Sequence, residues 1–240
     1  FKNYYQLIFH GVNFISIYSL YEELFGRIPV SLLKERWFVE NISNRPKPFY
    51  DFFKRIMDFV VALVLGVISL VVYPFVWLAI KADDGGTVFI MQERVGQNGF
   101  LIKTYKFRSM SRNETDLRQT GSNQITRVGK VIRKTRIDEL PQLWSVVRGD
   151  LSLIGPRPEL PSGVEIYKEK VPYFDARHLI KPGLSGWAQI YGEHAHHATD
   201  TEATVNKLSY DLYYVKNRSL WIDVAVALRT IKIMLSMAGK

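Results

Sequence analysis

The longest apolar stretch of the chain is Phe59–Ile80, which reads FVVALVLGVISLVVYPFVWLAI and contains no charged side chain. Its 22 residues exceed the run of about 18 apolar residues that indicates a membrane helix. A buried core helix is the alternative, although a helix this long and apolar on every face is unusual in a soluble domain. The pattern predicts a membrane segment, and its position inside the chain excludes a cleaved signal peptide.

Pro74 and the flanking charges indicate how this segment meets the membrane. A helix over Phe59–Tyr73 has 15 residues and a length of about 22 Å, which is short of the hydrocarbon layer of about 30 Å. Proline inside a helix removes a hydrogen bond, so a bend is predicted at Tyr73 and Pro74. Positive residues stand on both sides of the segment: Lys54, Arg55, Lys81, Arg94, Lys103 and Lys106. A re-entrant helix that returns to the cytoplasmic face is favoured, with a single kinked crossing as the alternative.

Shorter patterns predict the neighbouring elements. Tyr21–Ile28 is typical of a short amphipathic helix that ends at Gly26. Thr87–Phe107 contains two alternating runs separated by GQNG, which predicts a β-hairpin. Ser111–Gln124 is polar without periodicity and predicts a loop. The chain is therefore expected to have an α+β, mainly helical fold.

Two later segments have helical spacing. After Ile125, one face carries Val128, Val131 and Ile132, and the remaining positions carry Arg127, Lys130, Arg133, Lys134 and Arg136. Ser219–Met237 places an apolar stripe on one side of a helix, formed by Trp221, Val224, Leu228, Ile231 and Leu235. A core helix and an interfacial helix both fit this stripe, and the basic residues beside it favour the interface.

Composition narrows the classes of partner. The chain has no cysteine, which excludes a disulfide scaffold, thiolate zinc sites, iron–sulfur clusters and a cysteine nucleophile. Its 32 Lys and Arg against 23 Asp and Glu give a net charge of +9. Anionic partners are therefore expected, and charge alone does not choose among nucleic acid, phosphorylated metabolites and acidic lipid headgroups.

An acidic pair, Asp138 and Glu139, lies within this basic surrounding. Pro141 is tolerated only in the first turn of a helix, so a helix is predicted to begin near Asp138 and to end at Gly149. The helix dipole and the preceding cations are expected to hold the Asp138 carboxylate ionised. A simple N-cap is the alternative, because aspartate is a favoured capping residue.

Two glycine- and proline-containing turns follow. In GDLSLIGPRPELP, Arg157 is fixed between Pro156 and Pro158, which suits a guanidinium held against a phosphate. A rigid surface turn is the alternative and explains the prolines but not the arginine. Lys181–Ile190, KPGLSGWAQI, again places a cation beside glycine turns.

With these motifs the chain resembles the bacterial sugar transferases, monotopic phosphoglycosyl transferases that act on polyprenyl phosphate. The resemblance runs from about Pro48 to the C-terminus, over KRIMDF, QERVG, YKFRSM, RIDELPQLW, GDLSLIGPRP, PGLSGWAQ and YDLYYVKNRSLWID. YEELFGRIPVSLL resembles the junction of longer members, so a chain that begins at Phe1 is expected to be their C-terminal catalytic portion. The implied division is a junction (1–50), a re-entrant helix–break–helix (51–82) and a cytoplasmic catalytic domain (83–240).

The resemblance implies transfer of a sugar 1-phosphate from a UDP-sugar to undecaprenyl phosphate, with release of UMP, as the first membrane step of exopolysaccharide, lipopolysaccharide O-antigen or capsule assembly. It implies an active site among interfacial helices, at the cytoplasmic face of the bacterial inner membrane beside anionic headgroups. Asp138 is the implied nucleophile of a covalent aspartyl intermediate, and Glu139 with Asp138 is the implied Mg²⁺ site. Arg133 and Arg157 are the implied phosphate binders.

Other residues in or next to the matching blocks are expected to contact substrate: Arg94, Lys106, Arg108, Lys181 and Gln189. Tyr73 precedes the bend proline where some relatives carry serine. The cluster His194, His196 and His197 lacks helical metal-ligand spacing and favours a polar loop over a metal site. Glucose and galactose are family-level expectations for the sugar. The oligomeric state stays open, with a homo-oligomer among the alternatives.

Two other functions compete with this one. A membrane-tethered module that binds acidic lipid or nucleic acid accounts for the charge and the anchor, but leaves the acidic pair without a reason. The transferase interpretation expects no nucleic acid. A phosphatase that uses Asp138 would differ in taking water as the acceptor.

Overall fold

The computed structural model describes residues 7, 9–12, 14–42, 47–111, 124–192 and 201–236. The mainly helical α+β fold predicted from the sequence is confirmed. The helices are α1 (Ile17–Phe25), α2 (Glu35–Asn41), α3 (Pro48–Ser69), α4 (Tyr73–Asp84), α5 (Arg127–Lys134), α6 (Leu143–Arg148), α7 (Pro161–Lys170), α8 (Trp187–Tyr191), α9 (Thr201–Asn217) and α10 (Leu220–Leu235). Short 3₁₀ helices cover Val30–Leu32, Gln97–Gly99, Ile137–Gln142 and Phe174–Leu179. The histidine cluster and most of the predicted 111–124 loop lie outside the described residues.

The predicted hairpin is present. Strands β1 (Phe89–Val95) and β2 (Leu101–Phe107) pair antiparallel, with Phe89 opposite Phe107, and the 3₁₀ turn Gln97–Gly99 joins them. A second, parallel pair joins β3 (Ser152–Ile154) to β4 (Gly183–Ser185). These two small sheets carry the chain segments on which the candidate site is built.

The apolar segment forms the bent pair α3 and α4, whose axes differ by 56°. No single described helix is long and apolar enough to cross a membrane, whereas α3 and α4 taken together have the length and the apolar composition of a membrane span. The break covers residues 70–72, so it precedes Pro74, which occupies the first turn of α4. Proline is tolerated there because that N–H has no helical partner. The bend therefore lies just before the predicted position, and α3 is longer than the predicted 15 residues because it begins at Pro48.

The faces of α3 are inverted relative to a helix of a soluble core. The residues that α3 buries are small or polar: Asp58, Ala62, Gly66 and Ser69. Large apolar side chains point outward, among them Phe49, Phe52, Val60, Val64 and Ile68. An exposed apolar surface of this size marks a contact with lipid or with another apolar partner.

Helix α10 also has an exposed apolar face and a buried face. The predicted stripe is exposed, with Trp221 at 81% and Leu228 at 63% of their full accessibility, while Asp223 and Val226 are fully buried. The core-helix alternative for this stripe is therefore wrong. The side chain of Leu235 lies outside the described set. On α5 the prediction of one apolar face is only partly right, because Ile132 is buried but Val131 is exposed.

The N-terminal segment packs onto the rest of the chain. Helix α1 ends at Gly26, as predicted, and Gly26 adopts the left-handed conformation (φ 58°) that favours glycine. Trp187 Nε1 donates a hydrogen bond to the Gly26 carbonyl (2.8 Å). Ile28 and Trp37 share a buried cluster with Leu208 and other residues of α9. The described part of the predicted junction thus contributes to the core.

Candidate active site

The acidic pair stands in the first turn of the 3₁₀ helix Ile137–Gln142, which leads directly into α6. Helical structure therefore begins near Asp138, as predicted, and ends at Gly149 with φ 95°. The residue that caps this segment is Arg136, which has a left-handed backbone (φ 58°), and no side chain caps it. The N-cap alternative for Asp138 is therefore wrong.

Glu139 is held by cations from two other parts of the chain. Its Oε1 accepts hydrogen bonds from Lys106 Nζ (2.9 Å) and from an Arg157 Nη atom (2.7 Å). Lys106 lies on β2, and Arg157 lies in the turn after β3. Although burial opposes ionisation, Arg157 and Lys106 prevail and lower the pKa of Glu139 to about 2. Glu139 is therefore ionised at every physiological pH.

Asp138 has a different environment from its neighbour. The residue is buried, and its Oδ1 accepts no hydrogen bond from a described residue. Burial and the adjacent charge of Glu139 raise the pKa of Asp138, against the opposing effect of Lys106, Arg136 and Arg133. The cations that were expected to favour the ionised form do act on Asp138, but desolvation outweighs them, so the pKa shifts upward rather than downward. A desolvated carboxylate with an unused oxygen is suited to bind a ligand or to attack one.

The turn that carries Arg157 is fixed through its backbone carbonyls. Pro156 O accepts from Gly183 N (2.9 Å), Arg157 O from an Arg177 Nη atom (2.9 Å), and Pro158 O from an Arg94 Nη atom (3.3 Å). Gly155 allows close packing, since a Cβ there would lie 2.6 Å from the Lys181 carbonyl oxygen. Apart from the nitrogen bound to Glu139, the Arg157 guanidinium makes no side-chain hydrogen bond with a described residue. Its remaining donors are available to an anion.

The charges around the pair do not balance. The four cationic side chains with the largest effect on the two carboxylates are Lys106, Arg133, Arg136 and Arg157, and they exceed the pair by a formal charge of +2. We call these six residues the carboxylate site. An excess of cations around a partly buried pair favours binding of an anion.

The other predicted contact residues are placed as follows. Arg94 lies near the site, where it donates to Pro158 O and to Gln92 Oε1 (2.8 Å). Arg108 pairs instead with Asp84 at the end of α4. Lys181 is exposed, and Gln189 Nε2 donates to the Leu184 carbonyl (3.2 Å). The structure thus brings Lys106, Arg133 and Arg157 together with the acidic pair and places Arg108 and Gln189 in other contacts.

The carboxylate site is linked to the apolar helix α3 through α6. Arg55 donates to the carbonyls of Val146 (2.7 Å) and Val147 (2.8 Å) on α6. Ala62 of α3 belongs to the same buried cluster as Leu143 and Val146. The acidic pair, one turn before α6, is therefore fixed to the helix with the exposed apolar face.

The Mg²⁺ site implied by the sequence consists of two carboxylates, Asp138 and Glu139. The described residues contain no group of three or more His, Cys, Asp or Glu side chains placed to hold a metal ion. Mg²⁺, however, is commonly bound by one or two protein carboxylates together with substrate phosphates and water. The unsatisfied Asp138 Oδ1 next to ionised Glu139 fits that mode of binding.

A second polar cluster was not predicted from the sequence. Asp223 Oδ2 accepts from Tyr50 Oη (3.0 Å) and Lys54 Nζ (3.1 Å), and its Oδ1 accepts from Tyr214 Oη (2.5 Å). Asp58 joins through Lys54 (3.8 Å). We call these five residues the Asp223 network; it connects α3, α9 and α10. The motifs KRIMDF and YDLYYVKNRSLWID contain four of its members, but helical periodicity gives no signal for their pairing.

The comparison with protein families settles the relationship. A model described as bacterial sugar transferase matches residues 49–237. The chain belongs to this family. The match begins one residue after the Pro48 at which the sequence resemblance starts, and it covers the carboxylate site and the Asp223 network.

Individual sugar transferases agree with this assignment. The chain is 41% identical, over 93% of its length, to UDP-N-acetylgalactosamine-undecaprenyl-phosphate N-acetylgalactosaminephosphotransferase of Aeromonas hydrophila, of which it covers 52%. It is 36% identical, over 80% of its length, to UDP-glucose:undecaprenyl-phosphate glucose-1-phosphate transferase of Caulobacter vibrioides, of which it covers 73%. An undecaprenyl-phosphate galactose phosphotransferase of Salmonella typhimurium is 34% identical over 82% of this chain, which covers 43% of that relative. The chain thus spans about half or less of the length of several relatives.

Proposed function

We propose that this chain transfers a sugar 1-phosphate from a UDP-sugar to undecaprenyl phosphate and releases UMP. The observation that carries the proposal is a buried carboxylate oxygen of Asp138 that accepts no hydrogen bond from the described residues, beside ionised Glu139 and inside a net-positive site. The names of the relatives, which are undecaprenyl-phosphate sugar phosphotransferases, support the same reaction.

The reaction proceeds in two displacements at one phosphorus atom. An Asp138 carboxylate oxygen attacks the β-phosphorus of the donor, an acyl-phosphate bond forms, and the bond to the bridging oxygen breaks as UMP leaves. A phosphate oxygen of undecaprenyl phosphate then attacks the same phosphorus and releases the Asp138 carboxylate. Because the substrates use the site in turn, a water-soluble donor and a membrane-bound acceptor need not bind together.

The surrounding residues bind and orient the phosphates. The unpaired donors of Arg157 bind non-bridging oxygens, and Lys106 and Arg133 add positive charge where negative charge accumulates. Asp138 and Glu139 would hold Mg²⁺, which when bound neutralises charge on the pyrophosphate. Burial of Asp138 removes the water that would weaken these interactions.

We further propose that α3 and α4 enter the cytoplasmic face of the bacterial inner membrane and return to it, with α10 lying in the interface. The 56° bend, the outward apolar face of α3 and the exposed apolar stripe of α10 support this arrangement. Because the chain has no cysteine, single-cysteine variants Asp51→Cys and Ala82→Cys can be labelled in intact cells. Both sites should be inaccessible from the periplasm, and labelling of one alone would indicate a crossing.

The reaction is tested by UMP release in detergent with Mg²⁺, undecaprenyl phosphate and a panel of UDP-sugars. The panel includes the N-acetylgalactosamine, glucose and galactose donors that occur in the names of the relatives. Continued turnover of UMP that requires the lipid acceptor supports the transferase, because the first displacement alone releases at most one UMP per active site. Continued release of UMP with water as the only acceptor supports a phosphatase. No UMP with any donor would favour the membrane-tethered binding module.

The intermediate has its own test. Donor labelled in the sugar, incubated without lipid acceptor, should leave sugar phosphate on the protein at Asp138, and mass spectrometry of peptides locates it. Label that never becomes covalent while transfer proceeds would favour direct attack by the lipid phosphate.

A further inference from the structure

A fully buried arginine lies directly behind the turn that presents Arg157. Arg177, in the 3₁₀ helix Phe174–Leu179, is 1% exposed. One Arg177 Nη atom donates to the backbone carbonyl of Arg157 (2.9 Å). The same nitrogen lies 2.7 Å from Asp211 Oδ2, and the other Nη atom lies 3.6 Å from Glu159 Oε1. Arg177 thus contacts the turn by a hydrogen bond and an ion pair.

The partners of Arg177 are themselves anchored. Asp211 is 1% exposed and lies on α9, whose hydrophobic side packs in the core through Leu208 and Leu212. Glu159 also pairs with Lys207, one turn earlier on α9. Two cations and two carboxylates therefore balance within this group, in contrast to the excess of cations in the carboxylate site.

The cluster is not arranged for stability alone. The Nε and one Nη atom of Arg177 make no hydrogen bond with a described residue, although they are buried. Buried donors without partners lower the stability of a protein. A charged side chain that is buried at a cost in stability is expected to have a functional reason. For Arg177, that reason is to position the backbone of Arg157, whose carbonyl it contacts.

We propose that Arg177, oriented by Asp211, is a positioning residue that sets the reach of Arg157 towards the donor pyrophosphate. This inference rests on the proposed function, because it assigns Arg157 the role of a phosphate binder. Arg177 itself touches no substrate; it holds the backbone from which the Arg157 side chain extends. A small displacement of that backbone would misplace the guanidinium and lengthen or bend its hydrogen bonds to the phosphate oxygens, which weakens them.

The test measures binding of UDP to the detergent-solubilised chain by calorimetry, together with KM and kcat for the UDP-sugar. Arg177→Lys keeps the charge but has one donor nitrogen instead of the three of a guanidinium group. Asp211→Asn removes the ion pair with little change in the shape of the side chain. Each should raise the Kd for UDP about tenfold and KM by a similar factor, with a smaller change in kcat. Glu22→Gln is the control, because Glu22 pairs with Lys216 of the same helix α9 (2.8 Å) but does not contact the turn. It should leave the Kd for UDP within about twofold.

Combination with Arg157→Ala separates positioning from a general structural effect. If Arg177 acts through Arg157, Arg177→Lys should change the Kd for UDP less than about twofold once the Arg157 side chain is removed. An equal loss with and without Arg157, or no loss in either, would overturn the inference. If Arg177→Lys does not fold, as judged by thermal unfolding, Asp211→Asn supplies the same comparison. A wild-type chain that neither binds UDP nor releases UMP would remove the proposed function, and this inference with it.

Discussion

The carboxylate site and the Asp223 network are both buried groups of acids and bases, yet they differ in how fully their polar atoms are used. Both oxygens of Asp223 accept hydrogen bonds, from Tyr50, Lys54 and Tyr214. Asp138 has an oxygen with no partner among the described residues, and its surroundings carry surplus positive charge. A cluster whose polar atoms all have hydrogen-bond partners gains no further stabilisation from a ligand. A net-positive cluster with an unpaired polar atom is stabilised by an anionic ligand. We therefore assign a structural role to the Asp223 network and propose a catalytic role for the carboxylate site.

The largest expected effect is that of Asp138→Asn. The variant should lose activity by at least about a thousandfold, because a neutral amide is a poor nucleophile towards phosphorus. Its melting temperature should stay unchanged or rise, because Asp138 Oδ1 accepts no hydrogen bond from a described residue and burial disfavours its charge. UMP release and thermal unfolding in the same detergent measure both effects. A folded Asp138→Asn enzyme with normal turnover would refute the proposed mechanism.

Glu139→Gln should come next. The substitution weakens the contacts with Lys106 and Arg157 and removes a charge from the proposed metal site. Activity should fall by about a hundredfold or more, and the remaining activity should no longer respond to Mg²⁺ concentration.

A Mg²⁺ titration of wild type and Glu139→Gln checks this, with Glu93→Gln as a control on the exposed side of β1. A normal Mg²⁺ response in Glu139→Gln would argue against a metal role for this residue.

Asp223→Asn should show the opposite behaviour to Asp138→Asn. The amide leaves Lys54 and the two tyrosines with a weaker acceptor at a fully buried position, so unfolding should become easier by about 2–4 kcal/mol. At temperatures where the variant remains folded, kcat should stay within a few-fold of wild type. Thermal unfolding and turnover, measured together, test the contrast. Loss of kcat without loss of stability would show that the network has a role in the chemistry.

Local elements were largely predictable from the sequence. Alternation and GQNG located the hairpin, and the restriction on Pro141 located the helical start near Asp138, because both depend on neighbouring residues. The apolar segment was found for the same reason. The exact place of its bend was not, because Pro74 is compatible with a first turn as well as with a kink.

Contacts between distant segments were less predictable. The GPRP turn indicated Arg157 as a phosphate binder, but nothing in its spacing indicates that Arg177 holds its carbonyl. The direction of the Asp138 pKa also depends on burial, which local charge counting omits. Arg108 is the same kind of case: it is basic and adjacent to β2, and the fold pairs it with Asp84.

The smallest expected effect is a pH dependence of stability. It arises at His178, which lies next to Arg177, and not in the carboxylate site or the Asp223 network. His178, next to Arg177, is buried, and desolvation with the nearby Arg177 charge lowers its pKa to about 4, although Asp175 opposes this and Lys168 adds to it. The unfolded chain, with an ordinary histidine pKa near 6.5, binds more protons between these values, so stability should fall as the pH drops from about 6.5 to about 4. At pH 5 the loss attributable to His178 should be about 1–2 kcal/mol. His178→Gln cannot titrate, so its melting temperature should fall less than that of wild type between pH 7 and pH 5. Equal falls in the two proteins would show that His178 does not carry this pH dependence.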